Sequence, residues 1–386
     1  MKVLHFISGL GVGGAERMLA RLVISSTNGK SHKHVVVSLR EMGPVGEELL
    51  KSGIEVYSLN MNRLSGIFLA LPRMAALLRS SKPDVVQTWM YHADFICGLV
   101  ARLMGLRTII WGVRTTHPSV GNSLSTSVLA RLCALGSRLI PRAIVCAAGV
   151  SRQHHVELGY DASKMVVIPN GFNLDAFHVE QTVVEQLRQQ LGVEKTATII
   201  GTVGRFNDAK DYKNLIKAAA LLLKDRDDLV FLMVGKGLDD TNLELCKWLV
   251  EYKVKKYFVL AGEQKDLACL ACYYFLMDIF CLPSRTEGFP NVLGEAMACS
   301  RPCVSTDVGD AAFLLGDTGI IVKKEDDAEL ANGLRGLLEK SSDELDCLGR
   351  SAHERIKTHE RIKMNFTMDV CVLQFERLYS SIVSGC

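Results

Sequence analysis

Short apolar runs alternate with helical patterns along the whole chain, and this alternation restricts the fold more than any other feature. In the first half the runs are Val3–Ile7, Val35–Leu39, Glu55–Leu59, Val85–Thr88, Thr108–Trp111 and Ala143–Cys146. In the second half they are Thr198–Val203, Leu229–Val234, Tyr257–Leu260, Ile279–Leu282, Pro302–Ser305 and Ile320–Val322. Such runs are typical of strands that are buried on both faces of a parallel sheet. The sequence therefore predicts an α/β fold with two doubly wound sheets in tandem.

The length of the chain supports two domains. Its 386 residues exceed what a single ordinary core accommodates. A Pro-Asn-Gly turn at 169–171 is the expected boundary, which gives an N-terminal domain over 1–168 and a second domain from 169. Two such Rossmann-like domains facing each other would form a cleft, and ligands bind beyond the carboxyl ends of parallel strands.

Composition indicates a reduced, cytoplasmic protein. The chain has 12 cysteines without the regular spacing of a disulfide framework, and strand-like residues begin at Lys2 where a signal peptide would have its charged start. No apolar run approaches the roughly 18 residues that a transmembrane helix requires.

Charge is distributed unevenly between the two halves. Residues 1–165 contain 19 Lys and Arg against 9 Asp and Glu, and residues 95–156 contain seven Arg and no acid. The first half is therefore expected to face an anionic partner. No basic motif with interleaved aromatics favours nucleic acid. The segment 123–142, with Arg131, Arg138 and Arg142, resembles an interfacial membrane helix; a core helix with a solvated basic edge is the alternative.

Glu287 and Glu295 bracket a Gly/Pro/Asn turn that looks like the start of a helix over 292–299. The free N–H groups and the positive dipole end at a helix start suit a phosphate or diphosphate. Carboxylates do not bind phosphate, so the two glutamates are expected to face hydroxyl groups. A phosphate beside hydroxyl groups describes a nucleotide sugar, and an ordinary glutamate-rich helix entry is the alternative.

Two further loops follow predicted strands. Arg205 and Lys210 follow the first strand of the second half, where they could neutralise a diphosphate. The segment 9–14 follows the first strand of the chain and satisfies G-x-G-x-x-G, which raises the possibility of a dinucleotide site. The acid that such a site needs is represented only by Glu41 at a loose spacing, so close approach of the glycine backbone to a ligand fits better.

Three side chains in the first half could line the same cleft. His92 follows the predicted fourth strand, and Arg114 and His117 follow the fifth. A histidine in a loop is more often structural or solvated than catalytic, and this alternative stays open for His92.

Taken together, these motifs closely resemble those of the family 4 glycosyltransferases, which have the GT-B fold of two Rossmann-like domains facing across a cleft. The resemblance covers essentially the whole chain. Its elements are the E-x7-E spacing of Glu287 and Glu295, the diphosphate element at 202–206 with Lys210, the inter-domain segment 167–173 and the glycine loop at 13–17.

The resemblance implies a role for each matching position. Arg205 and Lys210 would hold the diphosphate of the donor, Glu295 the ribose hydroxyls, and Glu287 the hydroxyls of the donor sugar. The positions implied to lie against the sugar and phosphates are Phe289, Pro290, Asn291 and Val292. Gly13 and Gly14 would approach the diphosphate from the first domain, and His92 would lie by the acceptor or the donor sugar.

The family also implies an activity. Its members retain anomeric configuration and usually need no metal, and no cofactor is expected. The predicted activity is transfer of a sugar from a nucleotide-sugar donor, most simply a UDP-sugar, to a lipid-linked acceptor in O-antigen, capsule or exopolysaccharide assembly. The resemblance further implies a second domain over 169–364 that binds the nucleotide sugar, and a C-terminal helix within 365–386 that packs back on the first domain.

Two other classes of function remain open on the sequence alone. A nucleotide-sugar epimerase or NAD(P)-dependent oxidoreductase would use the first glycine loop as its cofactor site. A non-catalytic binding protein on the same fold would have lost the donor-binding set, yet Arg205, Lys210, Glu287 and Glu295 are all present.

Overall fold

The computed structural model describes residues 1–29, 32–61, 66–116, 124–172, 174, 177, 179–264, 266–357 and 366–385. His117 and Asn173, which the sequence singled out, lie outside these residues. Contacts divide the chain into two compact units. Unit 1 comprises Met1–Gly171 and Met368–Cys386, and unit 2 comprises Phe172–Thr367.

Unit 1 contains a parallel sheet of seven strands in the order β3-β2-β1-β4-β5-β6-β7. The strands are β1 (Lys2–Ile7), β2 (Lys33–Ser38), β3 (Glu55–Ser58), β4 (Val85–Trp89), β5 (Ile109–Val113), β6 (Ala143–Cys146) and β7 (Met165–Val167). Every residue of β4, β5 and β6 is buried, as expected for central strands of a sheet covered on both faces. The predicted strands are confirmed, whereas β7 was missed because it has only three residues and one of them is exposed.

Seven helices of unit 1 are described. They are α1 (Gly14–Asn28), α2 (Pro44–Lys51), α3 (Gly66–Ser81), α4 (Met90–Leu103), α5 (Leu124–Gly136), α6 (Gly149–Glu157) and α15 (Met368–Ser384). Helix α15 packs against α1. Its Phe375 and Tyr379 are buried in the core of unit 1, and the Tyr379 hydroxyl donates to Gln87 on β4.

Unit 2 contains a parallel sheet of six strands in the order β10-β9-β8-β11-β12-β13. The strands are β8 (Thr198–Val203), β9 (Leu229–Val234), β10 (Phe258–Gly262), β11 (Ile279–Leu282), β12 (Cys303–Thr306) and β13 (Ile320–Val322). The helices are α7 (Gln181–Gln190), α8 (Tyr212–Leu222), α9 (Leu243–Glu251), α10 (Leu267–Leu276), α11 (Asn291–Ala298), α12 (Ala311–Leu315), α13 (Asp327–Leu338) and α14 (Ser342–Lys357). Two parallel sheets with helices confirm the predicted α/β class.

Each sheet has one position where the chain reverses its direction of travel across the sheet. In unit 1 this position lies between β1 and β4, and in unit 2 it lies between β8 and β11. Loops that follow such a pair of strands diverge and leave room for a ligand at the carboxyl edge. The glycine loop after β1 and the loops after β8 and β11 therefore occupy the positions at which the two sheets favour ligand binding.

Candidate active site

The loops after β8 and β11 are bonded to each other at the carboxyl edge of the second sheet. The backbone N–H groups of Arg285 and Thr286 both donate to the carbonyl of Ala209, over 2.8 and 3.3 Å. Strand β11 pairs with β8 on one side and with β12 on the other. The three loops after these strands consequently begin side by side, and residues distant in sequence meet there.

Lys210 and Glu287 meet in this region. The Lys210 Nζ lies 2.7 Å from Glu287 Oε1, and the two side chains are only 16% and 14% exposed. The hydroxyl of Ser284 donates to the same carboxylate oxygen over 2.6 Å. Ser284 is itself held, because the Thr306 hydroxyl on β12 donates to its carbonyl over 2.6 Å. A cation and a carboxylate are thus fixed at the point where the sheet favours a ligand.

Arg205, by contrast, is exposed and forms no ion pair or hydrogen bond with any residue that the structure describes. Its guanidinium, with five N–H donors in a planar fork, is available for an anionic ligand. The two cations that the sequence predicted together therefore differ: one is paired with a carboxylate and one is open to solvent.

Two glycines permit this packing. A Cβ on Gly204 would stand 2.8 Å from the Tyr212 hydroxyl and 3.1 Å from Lys210 Cε, so a side chain there would displace the lysine. Gly309 has a φ of 54°, and a Cβ there would collide with the carbonyl oxygen of Gly288. The loop carrying Glu287 is thereby packed directly against the backbone that follows β12.

Glu295 lies inside α11 and is buried, with 5% of its surface exposed. The hydroxyl of Tyr274 on α10 donates to its Oε2 over 3.0 Å. Helix α11 starts at Asn291 after Pro290 as its N-cap. The turn and the helix are therefore where the sequence predicted them, with Glu287 before the helix and Glu295 in its second turn.

The ring of Phe289 does not face the open side of this loop. It is 7% exposed and stacks on Phe172 and Phe366 at ring-centre distances of 6.1 and 5.9 Å. Through these ring contacts, Phe289 anchors its own loop to the rest of unit 2. Any contact of Phe289 with a ligand would thus use its backbone.

A pocket of about 320 Å³ lies beside these loops, but none of the predicted donor-binding residues lines it. Its lining includes Arg285, which pairs with Asp211 at 3.3 Å and with Glu325 at 2.8 Å. These ion pairs tie the β11 loop to the start of α8 and to the turn after β13. The residues that line this pocket therefore support the loop after β11.

In unit 1, Gly13 is the N-cap of α1 and Gly14 its first residue, so the glycine loop leads directly into a helix. His92 differs from expectation because no loop separates β4 from α4. Met90, with a φ of 70°, makes the turn, and His92 lies in the first turn of the helix. It is half-buried, and burial together with the positive charge of Arg40 lowers its pKa.

Arg114 also differs from expectation. It follows β5, but its Nε and Nη2 atoms are buried, and its guanidinium lies 4.3 Å from the centre of the Trp89 ring. Its Nη1 donates to Asn170 Oδ1 over 3.0 Å. Arg114 therefore links β5 to the turn at the end of unit 1 instead of presenting its charge to solvent, which sequence alone did not indicate.

The residues that sequence reasoning missed are Ser284 and Tyr274. Ser284 stands three positions before Glu287 and directly follows the Pro that ends β11, a spacing that could have suggested a partner for the carboxylate. Tyr274 lies 21 residues before Glu295, and nothing in the local sequence indicates the contact.

Comparison with known proteins matches both halves of the chain to glycosyltransferase families. Residues 12–176 match the model described as Glycosyltransferase Family 4, and residues 197–340 match the model described as Glycosyl transferases group 1. These matches give no support to an epimerase or an oxidoreductase.

Similar proteins include two bacterial enzymes that are named for their reactions. One is the N-acetylgalactosamine-N,N'-diacetylbacillosaminyl-diphospho-undecaprenol 4-alpha-N-acetylgalactosaminyltransferase of Campylobacter jejuni, 27% identical over 93% of this chain and 96% of that protein. The other is the UDP-Gal:alpha-D-GlcNAc-diphosphoundecaprenol alpha-1,3-galactosyltransferase of Escherichia coli, 23% identical over 67% of each protein.

Among solved structures, HepE of Anabaena in complex with UDP-glucose superposes with a TM-score of 0.83 at 19% identity, covering 99% of this chain and all of that one. The fold is thus shared, at low sequence identity, with a protein whose structure was solved with UDP-glucose. The family matches, the two parallel sheets and this similarity of fold together show that the chain belongs to the family 4 glycosyltransferases of the GT-B fold.

Proposed function

We propose that this glycosyltransferase moves a sugar from a UDP-sugar to a lipid-linked glycan, with retention of anomeric configuration, during O-antigen, capsule or exopolysaccharide assembly. The observation that carries the proposal is the meeting of Lys210, Glu287 and the start of α11 at the switch point of the second sheet. Cation, carboxylate and helix start are the three groups that a sugar joined to a diphosphate requires.

Unit 2 is the donor-binding unit in this proposal. Arg205 and Lys210 neutralise the diphosphate, and the start of α11 at Asn291 and Val292 adds backbone donors and the positive end of its dipole. Glu295 accepts hydrogen bonds from the ribose hydroxyls, and Glu287 from hydroxyls of the donor sugar. Pro290 contributes shape but no N–H.

Unit 1 is the acceptor-binding unit. In this proposal the backbone of Gly13 and Gly14 and the side chain of His92 are the groups of unit 1 that act on the substrates. A neutral imidazole suits this position, because burial and Arg40 lower the pKa of His92 and an uncharged ring can accept a proton or a hydrogen bond.

The chemistry follows from where charge develops. The bond between the anomeric carbon and the diphosphate oxygen breaks, the sugar becomes oxocarbenium-like, and negative charge builds on the departing diphosphate. Lys210 and Arg205 stabilise that charge. The acceptor oxygen attacks on the same face and its proton passes to the departing phosphate oxygen, so the reaction requires neither a carboxylate nucleophile nor a metal.

The acceptor class is proposed from the relatives. The Campylobacter jejuni and Escherichia coli enzymes are named for acceptors built on diphospho-undecaprenol. No helix among the described residues is long and apolar enough to cross a membrane. Because both of these acceptors are lipid-linked, we infer a peripheral enzyme that works at the cytoplasmic face of the membrane carrying its acceptor.

A thermal-shift panel tests the donor site. It compares UDP-, GDP-, dTDP- and CMP-sugars with NAD(H) and NADP(H), on the natural protein and on an Arg205→Ala/Glu295→Ala variant. Stabilisation by UDP-sugars that the variant loses is the expected result. Stabilisation by NAD(P)(H) alone would overturn the proposal and assign the ligand to the first glycine loop.

A transfer assay completes the test. The stabilising UDP-sugar is mixed with membrane lipid extracts containing undecaprenyl-linked glycans, and the product linkage is read by NMR. An α-linkage from an α-linked donor supports retention, whereas an inverted linkage would refute that part. Donor binding without transfer to any acceptor would favour a non-catalytic binding protein.

A further inference from the structure

Two neighbouring helices of unit 1 expose large apolar side chains. Leu103 at the end of α4 is 79% exposed, and Leu135 on α5 and Leu139 just after it are 76% and 74% exposed. We call these three residues the leucine surface. Leu99, one turn before Leu103, and Leu132, one turn before Leu135, are also exposed. Exposed apolar side chains that occur together mark interaction surfaces, whereas single ones do not.

The exposed faces of α4 and α5 lie on the same side of the sheet. The two helices pack against each other, and both bury their opposite faces in one core, where Cys97 and Ala101 of α4 meet Ala130 and Cys133 of α5. Since both inner faces are turned toward the same side of the sheet, both outer faces point away from it in the same direction. The exposed leucines therefore belong to one side of unit 1.

Cations gather at the same end of the two helices. Lys164 Nζ donates to the carbonyls of Ser137 and Arg138 over 3.1 and 2.6 Å. Burial lowers the pKa of Lys164, the negative charge of Asp161 raises it, and the positive charges of Arg102 and Arg142 lower it. Arg102 precedes Leu103 and Arg138 precedes Leu139, so the cations and the leucines occur side by side.

We propose that the leucine surface docks on an anionic lipid bilayer, with Leu103, Leu135 and Leu139 in the interfacial layer and Arg102, Arg138 and Arg142 at the lipid phosphates. The apolar side chains would contact the acyl chains of such a membrane, and the neighbouring cations would contact its anionic headgroups. A second copy of the chain fits less well, because it would place the same cations opposite each other.

This inference deepens the proposed function, since a lipid-linked acceptor lies in that membrane, but it is tested without acceptor or donor. Vesicle flotation compares phosphatidylcholine vesicles with vesicles containing about one third phosphatidylglycerol. The test variant is Leu103→Ser/Leu135→Ser/Leu139→Ser. The matched control is Leu243→Ser/Val250→Ser, at residues of α9 in unit 2 that are 83% and 66% exposed. The melting temperature of each variant confirms that it is folded.

We expect the natural protein and the control to float with the anionic vesicles, and the leucine variant to lose about tenfold or more of its partitioning. Neutral vesicles should bind the natural protein weakly. Undiminished binding by the folded leucine variant would overturn the proposal, as would no binding of the natural protein to either vesicle. A dimer that the leucine variant dissociates, without vesicle binding, would assign the surface to a second copy instead.

The donor assignment and the membrane surface can be refuted independently of each other. Vesicle binding that depends on the leucines, without stabilisation by any nucleotide sugar, would refute the donor assignment and leave the membrane surface standing. Stabilisation by a UDP-sugar without vesicle binding would refute only the membrane surface.

Discussion

Lys210 and Glu287 are bonded to each other, with 2.7 Å between Nζ and Oε1, although each is proposed to bind a different part of the same donor. The structure therefore pairs the proposed diphosphate-binding cation with a carboxylate. If Lys210 binds the diphosphate as proposed, the diphosphate and Glu287 compete for the same ammonium group.

Glu287→Gln should consequently bind free UDP more tightly, although it removes a group of the site. Loss of a partly buried ion pair of about 1 kcal/mol would release Lys210 for the diphosphate and raise the affinity for UDP about fivefold, measured by calorimetry. Glu55→Gln, which removes an ion pair of equal length to Lys33 in unit 1, is the control and should change nothing. Weaker UDP binding by Glu287→Gln would contradict competition for Lys210.

Lys210→Ala should affect turnover more than binding. The charge that Lys210 neutralises increases as the diphosphate departs, so its removal should lower kcat about a hundredfold and weaken donor binding less than tenfold. Lys213→Ala, three residues along the chain and beside Trp248, is the matched lysine control. Weaker donor binding with an unchanged kcat would indicate uniform binding and not stabilisation of the leaving group.

Glu295→Ala should weaken nucleotide binding by about 1–3 kcal/mol, because ribose hydroxyls would lose their acceptor. Tyr274→Phe separates this role from stability. It removes the hydrogen bond to Glu295 Oε2 but keeps the carboxylate, so it should lower the melting temperature and leave UDP affinity within about twofold. If Glu295→Ala melts earlier but binds UDP normally, Glu295 is a structural residue.

Asp94→Asn should change how stability depends on pH. Asp94 is buried, and burial raises its pKa from 3.8 to about 7, despite hydrogen bonds from the Thr88 hydroxyl and the Gly112 N–H. The folded state therefore keeps the proton to higher pH than the unfolded state, and this group costs stability as pH rises from about 4 to about 7. Asparagine does not titrate.

The melting temperature of Asp94→Asn relative to the natural protein should thus rise across that interval and level off above about pH 8. Differential scanning calorimetry in half-unit steps of pH measures the difference. A difference that stays constant with pH would show that Asp94 titrates alike in the folded and unfolded states.

The sequence predicted the fold well because the inner strands of both sheets are buried on both faces. Strands such as β6 and β11 are unbroken apolar runs, which predict buried strands. The edge strand β7 was missed because it has only three residues. The start of α11 was predictable, since Pro290 at its N-cap is a local signal.

Contacts within the candidate site were less predictable, because they depend on tertiary packing. The sequence around His92 gave no sign that α4 starts directly at Met90. The left-handed turn there is made by a methionine, whereas a glycine would have indicated it. Arg114 was expected to line the cleft but stacks on Trp89, and Phe289 was expected to contact the donor, but its ring anchors its loop. The pairing of Lys210 with Glu287 joins two loops 77 residues apart.

Helix α15 has a consequence for synthesis of the chain. Unit 1 needs Met368–Ser384 to complete its core, yet these residues follow the whole of unit 2 in the chain. Domains fold as units while they emerge from the ribosome. Unit 2 can therefore finish folding first, although it is translated second, and until α15 arrives Trp89 lacks the packing of Phe375.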